Sequence, residues 1–149
     1  LLVLSLAAHG QTTMDVKIGN ISISVPSGWI AQYSDTTIIF ILYSPIEEND
    51  TFQENVNLTT ETLPSKYSEK GYLTAATENL KSLYKDFKII ESKDNYHVFT
   101  GIINDKLLQQ MQFVRIKDNV AYVVTYTATP DSFDRYVKIF NQIQQTFKY

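Results

Sequence analysis

The chain has 149 residues, 44% of them hydrophobic and 19% charged, and a formal net charge of −3. This length and composition fit one globular domain with its own core and exclude a disordered chain. The sequence has no cluster of Lys and Arg and no cysteine, which excludes nucleic acid as a partner, as well as disulfides, thiolate catalysis and Cys-ligated zinc.

The first ten residues have the pattern of the end of a secretory signal peptide. An apolar run from Leu1 to Ala8 precedes Gly10, which puts the small residues Ala8 and Gly10 at positions −3 and −1 of a cleavage site before Gln11. A buried strand or a membrane anchor is the alternative, but a spanning helix needs about 20 apolar residues. We therefore expect residues 1–10 to be the remnant of a signal peptide whose upstream part is missing. The expected protein is periplasmic or secreted, has no transmembrane segment and forms one domain over 11–149.

Three strands are predicted in the first half of the chain. Apolar residues alternate with polar ones over 20–25 and again over 55–60, which is the period of a strand with one buried face. The segment 37–43 is almost entirely apolar, which predicts a strand covered on both faces. The acidic, turn-rich segment 46–54 is predicted to be a loop.

An amphipathic helix and a meander of strands are predicted next. Four apolar residues at steps of three and four predict a helix with one apolar stripe: Leu73, Ala76, Leu80 and Leu83. Gly71 weakens the first turn, so the start of this helix is not defined. The next predicted strands, joined by turns so short that neighbours must pair antiparallel, are 87–91, 96–103, 107–116 and 120–128.

A second helix is predicted at the end of the chain. Thr129 is its N-cap, Pro130 its first residue and Asp131 an acidic residue in its first turn. Its apolar face, which must pack on the sheet, comprises Phe133, Tyr136, Val137, Phe140, Ile143 and Phe147. Two amphipathic helices with a largely antiparallel sheet predict an α+β fold.

The order of these elements, together with three short motifs, resembles the PsbP-like superfamily. The segment 23–29 is a strand that enters a "P-x-G-W" turn, and 52–58 is similar to an "F-x-x-N-V-N-V" strand. The strand 122–128 with the following helix resembles the end of the family's domain. Within the superfamily, the chain is most similar to small exported bacterial proteins of the DcrB and PsbP-related type.

This resemblance covers about residues 20–148 and implies a fold rather than one activity. The implied fold is a central antiparallel sheet flanked by helices, an α/β/α sandwich. Members of the superfamily serve as an extrinsic photosystem II subunit, as a partner of a nuclear GTPase and as bacterial envelope proteins. Function does not follow from such a fold alone. No binding motif of the family matches this sequence, so no site residue is transferred.

His97 is the histidine available for general acid–base catalysis within the predicted domain. It lies in the strand 96–103 between aromatic and apolar neighbours. No nucleophile motif such as G-x-S-x-G accompanies it, and a second histidine for a metal site is missing from the predicted domain. We therefore interpret His97 as a histidine on the polar face of a sheet.

The acidic segment 47–54 is the best candidate for a metal site, because Glu47, Glu48, Asp50 and Glu54 could offer oxygen ligands to calcium. Its spacing is not that of an EF-hand, which favours a solvated loop. Two other carboxyl groups, Asp131 and Asp134, are explained by the dipole at the start of the last helix.

These patterns predict a non-enzymatic, exported bacterial protein that acts as a binding or accessory protein in the cell envelope. Its partner is an unidentified protein or small molecule. We assign no catalytic, cofactor-binding or metal-binding residue and expect no cofactor. Two alternatives stay open: a hydrolase-like enzyme that uses His97, and a calcium-responsive module that uses 47–54. Five aromatic residues that could line a pocket are interpreted as core: Tyr122, Tyr126, Phe133, Phe140 and Phe147.

Overall fold

The computed structural model describes residues 13–33, 38–48 and 50–149. The segment expected to be a signal-peptide remnant, residues 1–10, lies outside the described residues. The described elements, in chain order, are β1 (Thr13–Ile18), β2 (Ile21–Pro26), β3 (Ile30–Tyr33), β4 (Ile38–Tyr43), β5 (Asn55–Thr62), α1 (Glu69–Leu83), β6 (Lys85–Ser92), β7 (Tyr96–Ile103), β8 (Lys106–Lys117), β9 (Val120–Ala128) and α2 (Pro130–Thr146).

Seven of the strands form one antiparallel sheet in the order β3-β4-β5-β9-β8-β7-β6. Within it, β3 to β5 form one meander and β6 to β9 form another. The two meanders are joined where β5 pairs with β9, from Asn55 opposite Thr127 to Thr62 opposite Val120. The strands β1 and β2 form a separate hairpin.

The two helices cover opposite faces of the sheet, each over its own apolar core. Val123 and Val124 are successive residues of β9, so they point to opposite faces. Val124 belongs to the core under α2, with Phe140 of that helix, whereas Val123 belongs to the core under α1, with Leu73. Burying each such side chain contributes about 1.5–3 kcal/mol. The expected α+β class and the α/β/α arrangement are confirmed.

Two of the predicted turns have the geometry of tight hairpins. Asn104 and Asp105 have φ of 50° and 59°, and Asp118 and Asn119 have the same two values. A two-residue turn with two positive φ angles matches the twist of antiparallel strands, and Asn and Asp tolerate it better than other non-glycine residues. The reversals predicted at these positions are confirmed.

Two strands were not predicted. In β1, Met14, Val16 and Ile18 alternate with polar residues, but this alternation is short and directly follows the apolar leader. In β3, four residues at the edge of the sheet show no complete alternation. Strand β3 is defined by its pairing with β4, from Ile30 opposite Tyr43 to Tyr33 opposite Phe40.

The prediction that the 37–43 strand is covered on both faces is wrong. Phe40 and Leu42 are buried on the α2 side, but Ile41 and Tyr43, which alternate with them, are only half-buried. The reason is the position of α1, which packs against β6, β7 and β8 and leaves this part of the opposite face without a covering helix.

The apolar stripe of α1 differs from the prediction at one residue, Leu83. Leu83 is 65% exposed. Tyr84, the C-cap residue, turns toward the sheet in its place, and its ring packs edge-on against Phe99 at a centroid distance of 5.6 Å. The start of α1, left open by Gly71, is defined by Ser68, whose hydroxyl accepts a hydrogen bond from the Gly71 amide at 3.0 Å.

Candidate functional site

Helix α2 has two flanks with different environments. One flank faces the β1–β2 hairpin, where the Thr146 hydroxyl accepts a hydrogen bond from the Ser24 amide at 2.8 Å. The other flank, with Asp134, Val137 and Asn141 at helical spacing, borders an open groove between α2 and strands β6, β7 and β8. The hairpin therefore closes one side of the helix and leaves the other side accessible.

The groove has an apolar floor and a volume of about 370 Å³. Val98 of β7, Met111 of β8 and Phe133 of α2 line it and are largely buried in the core beneath. Ile90 of β6, which is 52% exposed, and the half-buried Val137 line its sides. An apolar floor at the surface is typical of a binding site rather than of a solvated surface.

Polar groups form the rim of the groove. The Glu91 carboxylate accepts a hydrogen bond from the Tyr96 hydroxyl at 2.9 Å and lies 3.5 Å from the Lys93 ammonium. That hydrogen bond raises the pKa of Tyr96, because it favours the protonated phenol. Asp134 is exposed and forms no ion pair within the part of the chain that the structure describes. Three side-chain amides complete the rim: Gln109, Asn141 and Gln144.

A second depression, on the hairpin side of α2, has a similar volume of about 380 Å³ but a different chemistry. Its lining is polar or charged and includes Asp15, Lys17 and Lys148. With no apolar floor, this depression offers little to a ligand beyond what water already supplies. Of the two depressions beside α2, the groove between α2 and β6–β8 is therefore the better candidate binding site.

His97 lies on the opposite face of the sheet, beneath α1, and is 1% exposed. Its Nε2 is 3.0 Å from the Gln112 side-chain oxygen, and Gln112 in turn donates to the Thr125 hydroxyl at 3.3 Å. Burial lowers the pKa of His97, an effect that the hydrogen bond to Gln112 partly opposes. The interpretation of His97 as a histidine on the polar face of a sheet agrees with this geometry.

The environment of His97 differs from that of a catalytic base. Its hydrogen-bond partner is an amide, and no carboxyl group among the described residues forms a hydrogen bond with its imidazole. Its ring borders only a small groove of about 160 Å³, with Thr77 and Glu78 of α1 among the lining residues. A general base would require an orienting acid and access to a substrate.

The acidic residues of 47–54 are dispersed rather than convergent. Glu47 pairs with Arg135 of α2 at 2.8 Å and accepts from the Tyr136 hydroxyl at 3.3 Å. Glu54 is 2% exposed and points into the protein, where it accepts hydrogen bonds from the hydroxyls of Ser44 and Ser132. No group of three His, Asp or Glu side chains that could hold a metal occurs among the described residues, which do not include Asn49.

Of the five aromatic residues interpreted as core, three are buried in the core and two pack at its edge. Tyr126, Phe133 and Phe140 are buried, with ring centroids of Tyr126 and Phe140 4.9 Å apart. Tyr122 and Phe147 pack at the edge of the same core, with Tyr149 stacked on Tyr122 at 4.8 Å. Phe133 has a second role, because it also contributes to the floor of the groove.

Comparisons with known proteins give matches to solved structures only. No protein-family model matches the chain, and no curated protein matches it. In the described part of the chain, neither helix is long and apolar enough to cross a membrane.

Three solved structures have a similar fold at low sequence identity. The cyanobacterial PsbP protein CyanoP from Synechocystis has a TM-score of 0.65 and 12% identity, over 97% of this chain and 98% of that one. The Ran-binding protein Mog1p from Saccharomyces cerevisiae has a TM-score of 0.64 and 8% identity, over 93% and 95%. LpqN, involved in cell envelope biogenesis of Mycobacterium tuberculosis, has a TM-score of 0.58 and 16% identity, over 93% and 91%.

These likenesses identify the fold. The chain has the PsbP/Mog1-like fold, and the resemblance inferred from the motifs at 23–29 and 52–58 is confirmed at that level. At 8–16% identity, they do not transfer an activity or a partner.

Proposed function

We propose that this chain is a non-enzymatic, exported accessory protein of the bacterial cell envelope, and that it binds its partner in the groove between α2 and β6–β8. The observation that carries the proposal is the apolar lining of that groove, in which the exposed Ile90 and the half-buried Val137 form the sides above a floor of Val98, Met111 and Phe133. The partner is a protein or a small molecule.

Two proteins of the same fold support the proposal. Mog1p is a Ran-binding protein, which supports a binding role, and LpqN is involved in cell envelope biogenesis, which supports a role in the envelope. The apolar leader supports export, because a short apolar run before small residues is typical of secretory signals. The amide partner of the His97 imidazole supports a non-enzymatic role.

A substitution that fills the groove tests the binding role. Asn141 is exposed and lines the groove, so Asn141→Trp should fill it without disturbing the core. Lys138→Trp is the matched control, because Lys138 is exposed on the solvent side of the same helix. The partner is captured from envelope extract by cross-linking or co-purification. We expect the Asn141→Trp variant to lose this partner and the Lys138→Trp variant to retain it. Retention by both variants would exclude the groove as the binding site.

Export and the absence of catalysis each have a separate test. Protein made from its natural gene should be recovered from the periplasm or the medium with Gln11 as its first residue by mass spectrometry; recovery in the cytoplasm alone would contradict export. A reproducible hydrolytic activity of the purified protein that His97→Ala abolishes would overturn the non-enzymatic role.

A further inference from the structure

We infer that the groove takes a short segment of a partner protein that carries apolar side chains next to a lysine or an arginine. This inference rests on the proposed function, since it names the class of partner for the same groove. It is carried by the charges on the rim, the length of the groove and the side-chain amides along it.

The charges on the rim are of one sign. Glu91 and Asp134 line the groove, and no Lys, Arg or His is among the residues that line it. The Asp134 carboxyl group has no ion pair among the described residues, and the ion pair of Glu91 is with Lys93, whose side chain is 60% exposed and which lies outside the lining. A cationic side chain placed over the rim at Asp134 would therefore pair with a carboxylate that has no ion pair among the described residues.

The length of the groove fits an extended peptide better than a compact ligand. Asp134 and Gln144 mark its extent along α2. Ten residues of α-helix span about 15 Å, the length of four or five residues of an extended chain at about 3.3 Å each. A groove that is open along its length would leave a small apolar molecule largely in water, whereas a peptide can continue beyond both ends.

The amides along the rim match the needs of a peptide backbone. Gln109, Asn141 and Gln144 each offer a donor and an acceptor above the apolar floor. An extended segment that places apolar side chains against Ile90 and Val137 would leave its own N–H and C=O groups near these amides. The apolar sides of the groove then supply affinity, and the carboxylates supply preference for a basic neighbour.

Three synthetic peptides of about six residues, capped at both ends, provide the probes. The first has leucine and isoleucine between two lysines, the second replaces the lysines with glutamates, and the third replaces the two apolar residues with serines. Affinity is measured by fluorescence anisotropy, and the site is identified from shifts of the backbone amide resonances of Val98, Met111 and Val137. The full chain is used throughout.

We expect the lysine peptide to shift these resonances and to bind about tenfold more tightly than the glutamate peptide, because an exposed ion pair contributes up to about fivefold and the replacement adds repulsion. The serine peptide should not bind measurably. The preference for the lysine peptide over the glutamate peptide should decrease in the double variant Asp134→Asn, Glu91→Gln. It should also decrease at high salt. It should persist in Asp131→Asn, the matched control, because Asp131 is exposed on the same helix three residues before Asp134 but does not line the groove.

Three other results would overturn the inference. Equal binding of the lysine and glutamate peptides in the groove would exclude the basic preference but leave the groove as a binding site. Failure of all three peptides to shift the groove resonances would exclude a peptide ligand of this type. The comparison of partner capture from envelope extract by Asn141→Trp and Lys138→Trp would then decide the proposed function independently. Shifts that depend on protein concentration without any peptide would identify a second copy of the chain as the occupant.

Discussion

The hydroxyl of Ser132, in the first turn of α2, donates a hydrogen bond to the buried carboxyl group of Glu54, 78 positions earlier in the chain. Thr129, the N-cap of α2, has no side-chain bond to a helix amide; its hydroxyl is 2.9 Å from that of Ser132 instead. Glu54 also lies within 3.4 Å of the Ser44 hydroxyl. One buried side chain, directly before β5, thus connects the residue that follows β4 with the start of the helix that borders the groove.

Replacement of Glu54 should be among the most destabilising changes in the loop. Glu54→Ala leaves the hydroxyls of Ser44 and Ser132 without their partner in a buried site, and we expect the free energy of unfolding to fall by about 2–4 kcal/mol in urea denaturation. Glu48→Ala is the control, since Glu48 is exposed in the same loop and should change stability by less than about 0.5 kcal/mol. Equal effects of the two substitutions would contradict a structural role for Glu54.

Tyr126 should tolerate the loss of its hydroxyl. Its side chain is fully buried, and its hydroxyl has no hydrogen-bond partner among the residues that the structure describes. An unsatisfied buried hydroxyl costs about 1–3 kcal/mol, so Tyr126→Phe should leave stability unchanged or raise it by about 1 kcal/mol. Tyr84→Phe is the comparison: the Tyr84 hydroxyl donates to Gln110 at 3.0 Å, and its removal should lower stability by about 1 kcal/mol. A clear loss of stability in Tyr126→Phe would reveal a partner for its hydroxyl.

Stability should decrease in mild acid because of His97. Burial lowers the pKa of His97 from 6.5 in the folded protein, so the unfolded chain binds a proton at a higher pH than the folded one does. The contribution to stability is complete above the unfolded pKa and is lost as the pH falls toward the folded pKa. We expect the Tm to fall as the pH decreases through and below 6.5, and to fall less in His97→Gln, which keeps a polar side chain at this position. An identical pH profile in the variant would show that His97 does not carry this dependence.

Gly101 is required by the close approach of Tyr84. A Cβ atom at position 101 would lie 2.7 Å from the Cβ of Tyr84 and 3.0 Å from its Cγ. Gly101→Ala should therefore force α1 and β7 apart and cost about 1–3 kcal/mol in denaturant unfolding. In a Tyr84→Gly background the obstructing Cβ and ring carbons are removed, so the same substitution should cost less. Equal costs in both backgrounds would show that the approach of Tyr84 is not the reason for the glycine.

Calcium should not change the thermal stability of the protein. Glu47 and Glu54 point to different partners, and no three acidic side chains converge among the described residues of 47–54. Because a ligand that binds only the folded state must stabilise it, millimolar calcium should leave the Tm unchanged in differential scanning fluorimetry. A rise in Tm that Glu48→Gln or Asp50→Asn abolishes would support the calcium-responsive alternative.

The sequence predicted those elements whose local pattern and tertiary role agree. In β7 and β9 the predicted boundaries match the structure, and the Asn-Asp and Asp-Asn turns marked the reversals. Leu83 was predicted to face the core because of its spacing, but at the last residue of α1 the larger ring of Tyr84 can fill that place. The periodicity of apolar residues cannot show which of two neighbouring side chains, Leu83 or Tyr84, fills a given place in the core.

The groove was not predictable from the same patterns. Its lining comes from β6, β7, β8 and α2, and Ile90 and Val137 become neighbours only when the sheet forms. The dipole of α2 explains an acidic residue at position 134. That explanation is compatible with the position of Asp134 on the rim of the groove, but it does not predict this position. The one available signal was the width of the apolar face of α2: Val137 extends it beyond what the sheet and hairpin cover.

The joining of the two meanders through β5 and β9 has a consequence for the order of folding. Each meander is built from short-range hairpins and can begin to form alone, whereas pairing of Asn55 with Thr127 requires closure of a long loop. The bond between Ser24 and Thr146 spans 122 positions, and we expect it to form later still. While the chain is being synthesised, β5 has no partner on one side until β9 is complete. We therefore expect the central pairing of the sheet to be a late step, whereas every residue that lines the α2 groove comes from β6, β7, β8 and α2, on one side of that pairing.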